Sequence, residues 1–354
     1  MYMRRAAQLS VWRPFRRKLT ALAGLLAIVV VMVLGAIAPQ VFGWSESDFA
    51  RRTLVAYPVP PGRDNIIGEI LTYKIKKGDT LLDIGRYYDL SGKEISDANH
   101  HMDWWLPPVG AEIILPTQHI MPESRRQGVV MNIPEMRIYY YPVPVVIRGK
   151  GKHKTMVAVS DPARVVYTFP VGLGRFDWKT PVGAFRIRGK TKDPTWNVPD
   201  DIYQEHLERD GEAEHSIAGG DPDNPLGKYR IELSLPLYGI HGTNVPWGVG
   251  MTVSHGCIRL YPEDIDVLFH MVKIGMPGQF VYEPVKFGWR ANRLYVEVHD
   301  DLYGMYPGLW NHTTKEVERL GLTDQVDMDA LQKAVVDKTG VPTFVGRNVE
   351  ASSS

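Results

Sequence analysis

The chain begins with an uninterrupted apolar segment. Residues 19–38 read LTALAGLLAIVVVMVLGAIA, without a single charged side chain. A helix rises about 1.5 Å per residue, so a helix over this segment just crosses a hydrocarbon core roughly 30 Å thick. The positions before it carry six basic residues and no acidic one, namely Arg4, Arg5, Arg13, Arg16, Arg17 and Lys18. Because positive charge stays on the cytoplasmic side, residues 1–43 are predicted to be a basic leader with a membrane anchor or signal sequence.

Two interpretations of this segment are open. Ala36-Ile37-Ala38 has the small-residue pattern of a signal-peptide cleavage site, but Pro39 follows it, and the segment is longer than a usual signal core. An uncleaved anchor is therefore preferred slightly. A buried core helix is disfavoured because the segment is apolar on all sides. Either way, the rest of the chain is expected in the cell envelope, in the periplasm or at the outer face of the inner membrane.

The pattern then changes to a spacer followed by a small module. Residues 44–71 include Tyr57-Pro58-Val59-Pro60-Pro61-Gly62, which excludes a helix there and predicts an extended spacer. In residues 72–117, apolar side chains first alternate with lysines, which predicts a strand. An apolar segment at 112–115 predicts a closing strand.

Two helices are predicted between these strands. Asp79 or Thr80 can cap the first helix. Ser91, with Glu94 three residues later, forms a capping box for the second helix, which is expected to end near Asn99. The order strand, helix, helix, strand indicates a small α+β module.

That order, together with Lys77-Gly78-Asp79-Thr80-Leu81 and Ala98-Asn99, resembles a LysM domain. The resemblance covers residues 72–117 and implies binding to glycan strands that contain N-acetylglucosamine. The segment 100–105 (HHMDWW) departs from the usual family pattern. A folding or spacer module without a ligand is the alternative, because a fold alone does not establish a function.

After a linker at 118–128, short apolar segments separated by Gly and Pro indicate a mainly β domain. Strands are predicted at 164–169, 185–188 and 279–282. Pro262 begins a predicted helix whose apolar face consists of Ile265, Leu268, Phe269 and Val272. In the C-terminal extension, residues 286–354, a strand at 293–298 and a helix at 327–338 are predicted without an associated chemistry.

Composition narrows the function. Apolar residues make up 44% of the chain and charged residues 23%, which is typical of a folded protein. The formal net charge is +1, and since the leader carries six bases, residues 44–354 carry 35 basic and 40 acidic residues. This balance gives no reason to expect nucleic acid as a partner. Cys257 is the only cysteine, which excludes an intrachain disulfide and a cysteine-rich zinc module.

The candidate chemistry surrounds this cysteine. A thiolate is a strong nucleophile, and a nearby imidazole is expected to lower the pKa of the thiol. His255 lies two residues before Cys257, and His241 lies sixteen residues before it. The amides of Gly256 and Cys257 could stabilise an oxyanion, and Arg259 could bind a carboxylate.

Two alternatives accompany this interpretation. Free cysteines are often buried and inert, although an exported, unique cysteine beside a glycine and two histidines favours a reactive one. A zinc site made of His241, His255 and Cys257 has a catalytic ligand count, but the sequence lacks an accompanying H-E-x-x-H helix. No metal or cofactor is therefore expected.

His241-Gly242-Thr243 followed by Ser254-His255-Gly256-Cys257-Ile258-Arg259 resembles the signature of the L,D-transpeptidases of the YkuD fold, in their ErfK-like branch. The resemblance covers residues 129–285 and includes the segments 180–185, 192–196 and 224–227. It implies a β-sandwich with one or two short helices. In many members an Asn stands where this chain has Arg259.

The resemblance also implies an enzyme, a peptidoglycan L,D-transpeptidase. Cys257 would attack the carbonyl of the third residue of a stem tetrapeptide, release the terminal D-Ala and form a thioester that an amine then accepts. His241 would give and take protons, His255 would support the oxyanion side, and the expected substrate contacts are Ser254, Gly242, Thr243 and Arg259. The acceptor is open: another stem peptide, giving 3-3 cross-links, a lipoprotein lysine, or a free D-amino acid.

Two other functions are alternatives. A hydrolase would pass the same thioester to water, and a non-catalytic protein would bind the cell wall through residues 72–117 alone. The segment 191–227 is long and interrupted by Gly and Pro, so it is expected to fold over the acyl pocket as a lid, or else to be an ordinary surface insertion.

Overall fold

The computed structural model describes residues 44–50, 52, 54–142, 145–148, 155–158, 165–254 and 256–347. The predicted leader and membrane segment, residues 1–43, and His255 lie outside these ranges. Among the helices that are described, none combines the length and the apolar character needed to span a bilayer.

The N-terminal part consists of short elements in the following order: α1 (Glu46–Ala50), β1 (Tyr57–Pro58), β2 (Ile66–Ile67), β3 (Leu71–Lys74), α2 (Leu81–Tyr87), α3 (Gly92–Ala98), β4 (Glu112–Leu115) and β5 (His119–Ile120). The strands β3 and β4 pair antiparallel, from Leu71 opposite Leu115 to Lys74 opposite Glu112. The predicted order strand, helix, helix, strand is therefore confirmed.

The caps of the two helices in this module also follow the sequence. The side chain of Thr80 accepts a hydrogen bond from the amide of Asp83 and begins α2. Ser91 and Glu94 form the complete predicted capping box of α3, and Asn99 ends that helix. The helices and strands enclose a small apolar core: Tyr73, Ile75, Leu81, Ile84, Leu90, Ile95, Ile113 and Leu115.

The segment predicted as a spacer packs against the rest of the protein. The strand β1 lies antiparallel to residues 165–166, with Tyr57 opposite Val166 and Pro58 opposite Val165. A proline has no N–H to donate, so Pro58 is compatible with the edge position that β1 occupies. Residues 57–62 form no helix, as predicted, but α1 lies within the same predicted spacer.

The central domain contains the following elements: β6 (Gly128–Asn132), β7 (Arg137–Tyr141), β8 (Val145–Arg148), β9 (Thr155–Ala158), β10 (Val165–Pro170), β11 (Leu173–Gly174), β12 (Gly183–Lys192), β13 (Trp196–Asn197), α4 (Asp200–Asp210), β14 (Ser216–Ile217), β15 (Tyr229–Leu233), β16 (Gly239–His241), β17 (Thr252–Ser254), β18 (Ile258–Arg259), α5 (Pro262–Met271) and β19 (Pro277–Val281). Nine strands form one sheet in the order β1-β10-β7-β6-β19-β12-β15-β16-β18.

The long strand β12 joins the two halves of this sheet. Its first residues, 183–186, pair with β19, and its later residues, 187–192, pair with β15, with a register shift between Ile187 and Gly189. Both halves contribute to one core, which contains Val129, Ile138 and Phe169 from one half, Ile231, Ile240 and Ile258 from the other, and Ile265 and Leu268 of α5. The domain is mainly β with short helices, as predicted.

Charged side chains join the N-terminal module to this domain. Arg137, which is fully buried, donates to Glu94 of α3 over 2.7 Å and to the carbonyl oxygen of Asp89 over 3.0 Å. Arg86 of α2 forms an ion pair with Glu263 over 3.0 Å. A buried, paired charge is costly to leave without its partner, so removing either partner should destabilise this contact between the module and the domain.

The C-terminal extension has its own small core. It comprises β20 (Val285–Arg290), β21 (Arg293–Val298), α6 (Leu309–Arg319), α7 (Met328–Asp337) and β22 (Thr343–Phe344). The strands pair in the order β20-β21-β22. The predicted strand at 293–298 and the predicted helix at 327–338 both form, the latter with Asp327 as its N-cap.

Candidate active site

The site lies on one face of the strands β15, β16 and β18. Arg230 is paired with His241, and His241 is paired with Arg259, so the three side chains form a row across the sheet, called here the active-site row. Adjacent paired residues in a sheet share a face, and neighbours along a strand point to opposite faces. The alternate row, Ile231, Ile240 and Ile258, accordingly lies in the core.

Cys257 lies at the entrance to β18, two residues before Arg259 and therefore on the side of the active-site row. The residue is half-buried, and its Sγ lies 3.7 Å from the carbonyl oxygen of Leu237. The hydroxyl of Ser254 donates to the carbonyl oxygen of Cys257 over 2.6 Å. Ser254 thus fixes the backbone that carries the thiol.

Gly256 is required by the backbone immediately before the cysteine. Its φ is +101°, in the region that favours glycine. A Cβ at this position would also lie 2.8 Å from Cε1 of Tyr238. The sharp turn at Gly256 brings Cys257 to the surface of the sheet.

The hydrogen bond of His241 determines which of its nitrogens can act. Its Nδ1 lies 2.7 Å from the carbonyl oxygen of Gly242. Because a carbonyl oxygen can only accept, Nδ1 carries the proton, and Nε2 is left with a lone pair. His241 is therefore oriented as a base through Nε2.

Burial controls the protonation states of both groups. Burial, followed by the positive charge of Arg259, lowers the pKa of His241 to about 3. Burial raises the pKa of the Cys257 thiol, although Arg230 and Arg259 act in the opposite direction. The predicted lowering of the thiol pKa is therefore not found among the described residues, because burial raises this pKa. The resting site holds a neutral thiol and a neutral imidazole.

The two arginines of the active-site row have unused donors. The Nε atoms of Arg230 and Arg259 are buried, and neither has a hydrogen-bond acceptor in the described part of the chain. Burial also lowers the pKa of Arg259. Half-buried guanidinium groups beside a thiol are suited to bind a carboxylate.

The remaining predicted site residues adjoin this row. The amide of Gly242 donates to the carbonyl oxygen of Tyr229 over 3.1 Å. The side chain of Thr243, which is buried, accepts from the amide of Val245 over 2.9 Å and shapes the turn after β16. Substrate contacts by Gly242, Thr243 and Ser254, like those of Arg259, stay predictions.

Sequence reasoning missed three residues near the nucleophile. Arg230 is brought beside His241 by the pairing of β15 with β16. The hydroxyl of Thr180 donates to the carbonyl oxygen of Gly256 over 3.1 Å. Tyr303, from the C-terminal extension, accepts from the amide of Thr180 over 3.2 Å. The only sequence signal was that Thr180 lies in the segment 180–185, which resembles the family.

The segment 191–227 contains a helix between two short strands. The strands β13 and β14 pair, and α4 lies between them in sequence. Arg175, whose amide donates to the carbonyl oxygen of Ser254, forms an ion pair with Glu205 of α4 over 2.9 Å. The helix is therefore linked to the strand that precedes the nucleophile.

Among the described residues, a group with metal-ligand spacing lies elsewhere, at His119, Glu135 and Glu297, whose ligand atoms are all within 4.8 Å of one another. The ammonium of Lys286 lies among them, 2.7 Å from Glu135 and 2.8 Å from Glu297. A lysine cation already compensates the two carboxylates. These four residues are called here the junction cluster, because they connect the central domain with the C-terminal extension.

Comparison with known proteins identifies the family. The sequence model described as the L,D-transpeptidase catalytic domain (YkuD) matches residues 126–286. Probable L,D-transpeptidase YbiS of Escherichia coli (strain K12) is 32% identical over 298 residues, which cover 81% of this chain and 91% of that protein. Probable L,D-transpeptidase ErfK/SrfK of the same strain is 33% identical over 260 residues, covering 72% of this chain and 77% of that protein.

A solved structure is similar as well. The solution structure of the catalytic domain of the Enterococcus faecium L,D-transpeptidase is 16% identical, covers 45% of this chain and 100% of that chain, and has a TM-score of 0.30. The assignment rests on the sequence relatives, which extend over most of both chains. The chain belongs to the L,D-transpeptidase family.

Proposed function

We propose that Cys257 and His241 carry out the acyl transfer of a peptidoglycan L,D-transpeptidase in the cell envelope. The protein is an L,D-transpeptidase by its family, and the residue roles are the proposal. The observation that supports them most is the active-site row, in which His241 is paired with Arg259, two residues after Cys257, and has only Nε2 free to accept a proton.

The first half-reaction begins from the neutral pair. Nε2 of His241 takes the proton of the Cys257 thiol as Sγ attacks the carbonyl of the third stem residue. The tetrahedral intermediate collapses when the C–N bond to the terminal D-Ala breaks, and the imidazolium returns its proton to the leaving amine. A neutral resting pair is suited to this step, because the proton moves only when a carbonyl is available to receive the electrons of sulfur.

In the second half-reaction, the acyl group passes from Cys257 to an acceptor amine. An acceptor amine attacks the thioester, and His241 removes the proton that the amine loses on forming the new amide. Sγ leaves and recovers a proton from the imidazolium, which restores the resting site. The acceptor is a second stem peptide, giving a 3-3 cross-link, or a lipoprotein lysine.

Arg230 and Arg259 are proposed to hold the donor peptide. Stem peptides carry carboxylates, and both arginines have a buried Nε without an acceptor in the described chain. An ion pair with a substrate carboxylate would use these donors and orient the scissile carbonyl towards Cys257. The amides of Gly256 and Cys257 are proposed to stabilise the oxyanion, with His255 on the same side.

The segment 191–227 is proposed to act as a lid that limits water at the thioester. The support is the ion pair between Glu205 of α4 and Arg175, next to the strand that leads to Cys257. Shortening this segment should lower transfer to an amine and raise release by water. An unchanged ratio of the two products would contradict the lid.

The module at 72–117 is proposed to be a LysM domain that binds glycan strands. The support is its element order and a cavity of about 670 Å³ between this module and the turn after β16, lined by the exposed Trp105 and Trp247. Indole rings are suited to the apolar faces of sugar rings.

Residues 19–38 are proposed to attach the protein to the membrane. The support is that this segment has no charged side chain and follows six basic residues.

The nucleophile is tested by replacing its sulfur. Cys257→Ala should abolish transfer from a synthetic stem tetrapeptide to an amine, and Cys257→Ser should leave very little, since a hydroxyl ionises far less readily. Mass spectrometry of the wild type with a carbapenem should show one acyl adduct, which the Ala variant lacks. Thermal unfolding controls for the fold, and transfer by a folded Cys257→Ala protein would refute the proposed function.

A further inference from the structure

A chain of hydrogen bonds runs from the C-terminal extension to the peptide bond before the nucleophile. Tyr303 is buried and lies in the loop between β21 and α6. Its hydroxyl donates to the carbonyl oxygen of Gly174 over 2.9 Å and accepts from the amide of Thr180 over 3.2 Å. The hydroxyl of Thr180 in turn donates to the carbonyl oxygen of Gly256 over 3.1 Å.

The hydroxyl of Thr180 has a defined direction. Its oxygen also accepts a hydrogen bond from the amide of Gly174 over 3.4 Å. Its single hydrogen is therefore committed to the carbonyl oxygen of Gly256. Thr180 thus fixes one end of the peptide bond between Gly256 and Cys257.

Fixing this carbonyl also fixes the amide of Cys257. A trans peptide is planar, and its C=O and N–H point in opposite directions. The N–H of Cys257 donates to no backbone acceptor within the described ranges. With Cys257 as the proposed nucleophile, this amide would lie beside the position where the substrate oxygen becomes negative.

The surroundings leave little freedom for that peptide to rotate. A Cβ at Gly174 would lie 2.7 Å from Cα of Gly256, and a Cβ at Gly256 would lie 2.8 Å from the ring of Tyr238. Tyr303 is itself held in place, since its amide donates to the hydroxyl of Tyr282 over 2.7 Å. Lys179 donates to the carbonyl oxygen of Tyr303 over 3.1 Å.

We propose that Thr180 and Tyr303 are positioning residues that aim the Cys257 amide at the oxyanion of the tetrahedral intermediate. The C-terminal extension would then be part of the catalytic apparatus through Tyr303. The inference rests on the proposed function, because an aimed amide is useful only if Cys257 attacks an acyl group. Donors placed in advance for a developing oxyanion act mainly on the rate of the chemical step.

The test compares two reactions of the same sulfur in the full chain. Transfer from a synthetic stem tetrapeptide to an amine passes through an oxyanion, whereas alkylation of Cys257 by iodoacetamide does not. Thr180→Val should lower kcat of transfer by about tenfold to a hundredfold, somewhat less than the loss of a whole oxyanion donor. Its alkylation rate at a fixed pH should stay within about twofold of the wild type, because the thiol and His241 are unchanged.

Two further variants and one control test whether the hydroxyl groups of Thr180 and Tyr303 cause the loss of rate. Thr180→Ser keeps the hydroxyl and should restore most of the transfer rate. Tyr303→Phe removes the more distant hydroxyl, so its loss of kcat should be smaller, about threefold to tenfold, again with alkylation unchanged. Tyr295→Phe, whose ring packs on Phe344 in the C-terminal sheet at 5.8 Å between centroids, is the matched control and should alter neither rate.

Two results would overturn the inference. One is transfer at the wild-type rate in both Thr180→Val and Tyr303→Phe. The other is a parallel fall of transfer and alkylation in both variants, which would show that these residues only maintain the packing of the site. Neither result is the same as failure of the proposed function, in which Cys257→Ala would retain transfer.

Discussion

The active-site row and the junction cluster each contain a buried histidine among charged side chains, but these charges are arranged differently. In the junction cluster, Lys286 lies between the carboxylates of Glu135 and Glu297 and also donates to the carbonyl oxygen of Ile120 over 2.6 Å. In the active-site row, the Nε atoms of Arg230 and Arg259 have no acceptor in the part of the chain that is described.

This difference separates a structural group from a reactive one. Burial lowers the pKa of His119 in the junction cluster as it lowers that of His241, so a shifted imidazole alone does not identify a catalytic site. The nearby carboxylates of the junction cluster are satisfied by Lys286 and by His299, which lies 2.7 Å from Glu297. Buried donors without an acceptor beside a thiol are suited to bind an anionic group.

Within this comparison, the largest expected effect follows from replacing His241, the proposed base. His241→Gln should lower the rate of transfer at neutral pH by about 10²–10⁴-fold, the usual range for general acid–base catalysis. A steady-state assay with a soluble stem peptide measures this loss. His119→Gln is the matched control, because its imidazole is also buried but lies in the junction cluster; an equal loss in both variants would contradict the comparison.

The junction cluster should respond in stability instead. Lys286→Met leaves two buried carboxylates without their cation and should lower the free energy of unfolding by about 3–5 kcal/mol. Chemical denaturation measures the change. Lys333→Met removes a surface ion pair with Asp337, so it should cost less than about 1 kcal/mol. Equal stability of the two variants would show that the junction cluster does not hold the extension in place.

Acid should weaken the fold through the buried imidazoles. The pKa of His241 is about 3 in the folded protein and about 6.5 when exposed. The unfolded chain therefore binds more protons between these values, and stability falls as the pH decreases from about 6.5 towards 3, by at most about 1.4 kcal/mol per pH unit for this group.

His241→Gln should flatten this decline relative to the wild type. Denaturation series at several pH values measure the difference in slope. His101→Gln serves as the control, since the side chain of His101 is 75% exposed. Identical slopes in His241→Gln and the wild type would mean that His241 is not buried in its neutral form.

The smallest effect on the catalytic domain is expected from the module at residues 72–117, for which glycan binding is proposed. Trp105→Ala changes an exposed ring and should alter stability by less than about 0.5 kcal/mol and transfer on a soluble peptide hardly at all. Retention on intact sacculi should weaken, because a tethered module raises local concentration without touching the reacting atoms. Trp289→Ala, in β20, is the control; equal retention of both variants would contradict glycan binding by this surface.

Deleting the whole module is a less selective experiment. The buried Arg137 depends on Glu94, and Arg86 is paired with Glu263. The deletion would leave Arg137 without its carboxylate and should therefore destabilise the central domain. Point substitutions at the module surface leave these ion pairs in place, so they test glycan binding without destabilising the central domain.

Much of the fold could be predicted from local signals. The capping box at Ser91 and Glu94 forms as expected, because both partners lie within one helical turn. The strand and helix order of residues 71–115 and the helix that begins at Pro262 also agree with their patterns. The predicted spacer was only partly correct, since the edge of a sheet that would receive Tyr57 and Pro58 is not visible in sequence.

The sequence by itself indicated the family and made Cys257 the proposed nucleophile, since the two half-motifs at 241–243 and 254–259 lie close together along the chain and a thiolate is a strong nucleophile. Only the tertiary structure decided the protonation states, because burial and the charges of Arg230 and Arg259 come from neighbouring strands. It likewise decided the place of Tyr303, which reaches Thr180 from 123 positions away. Contacts at such separation depend on how the strands pair, and no local pattern encodes that pairing.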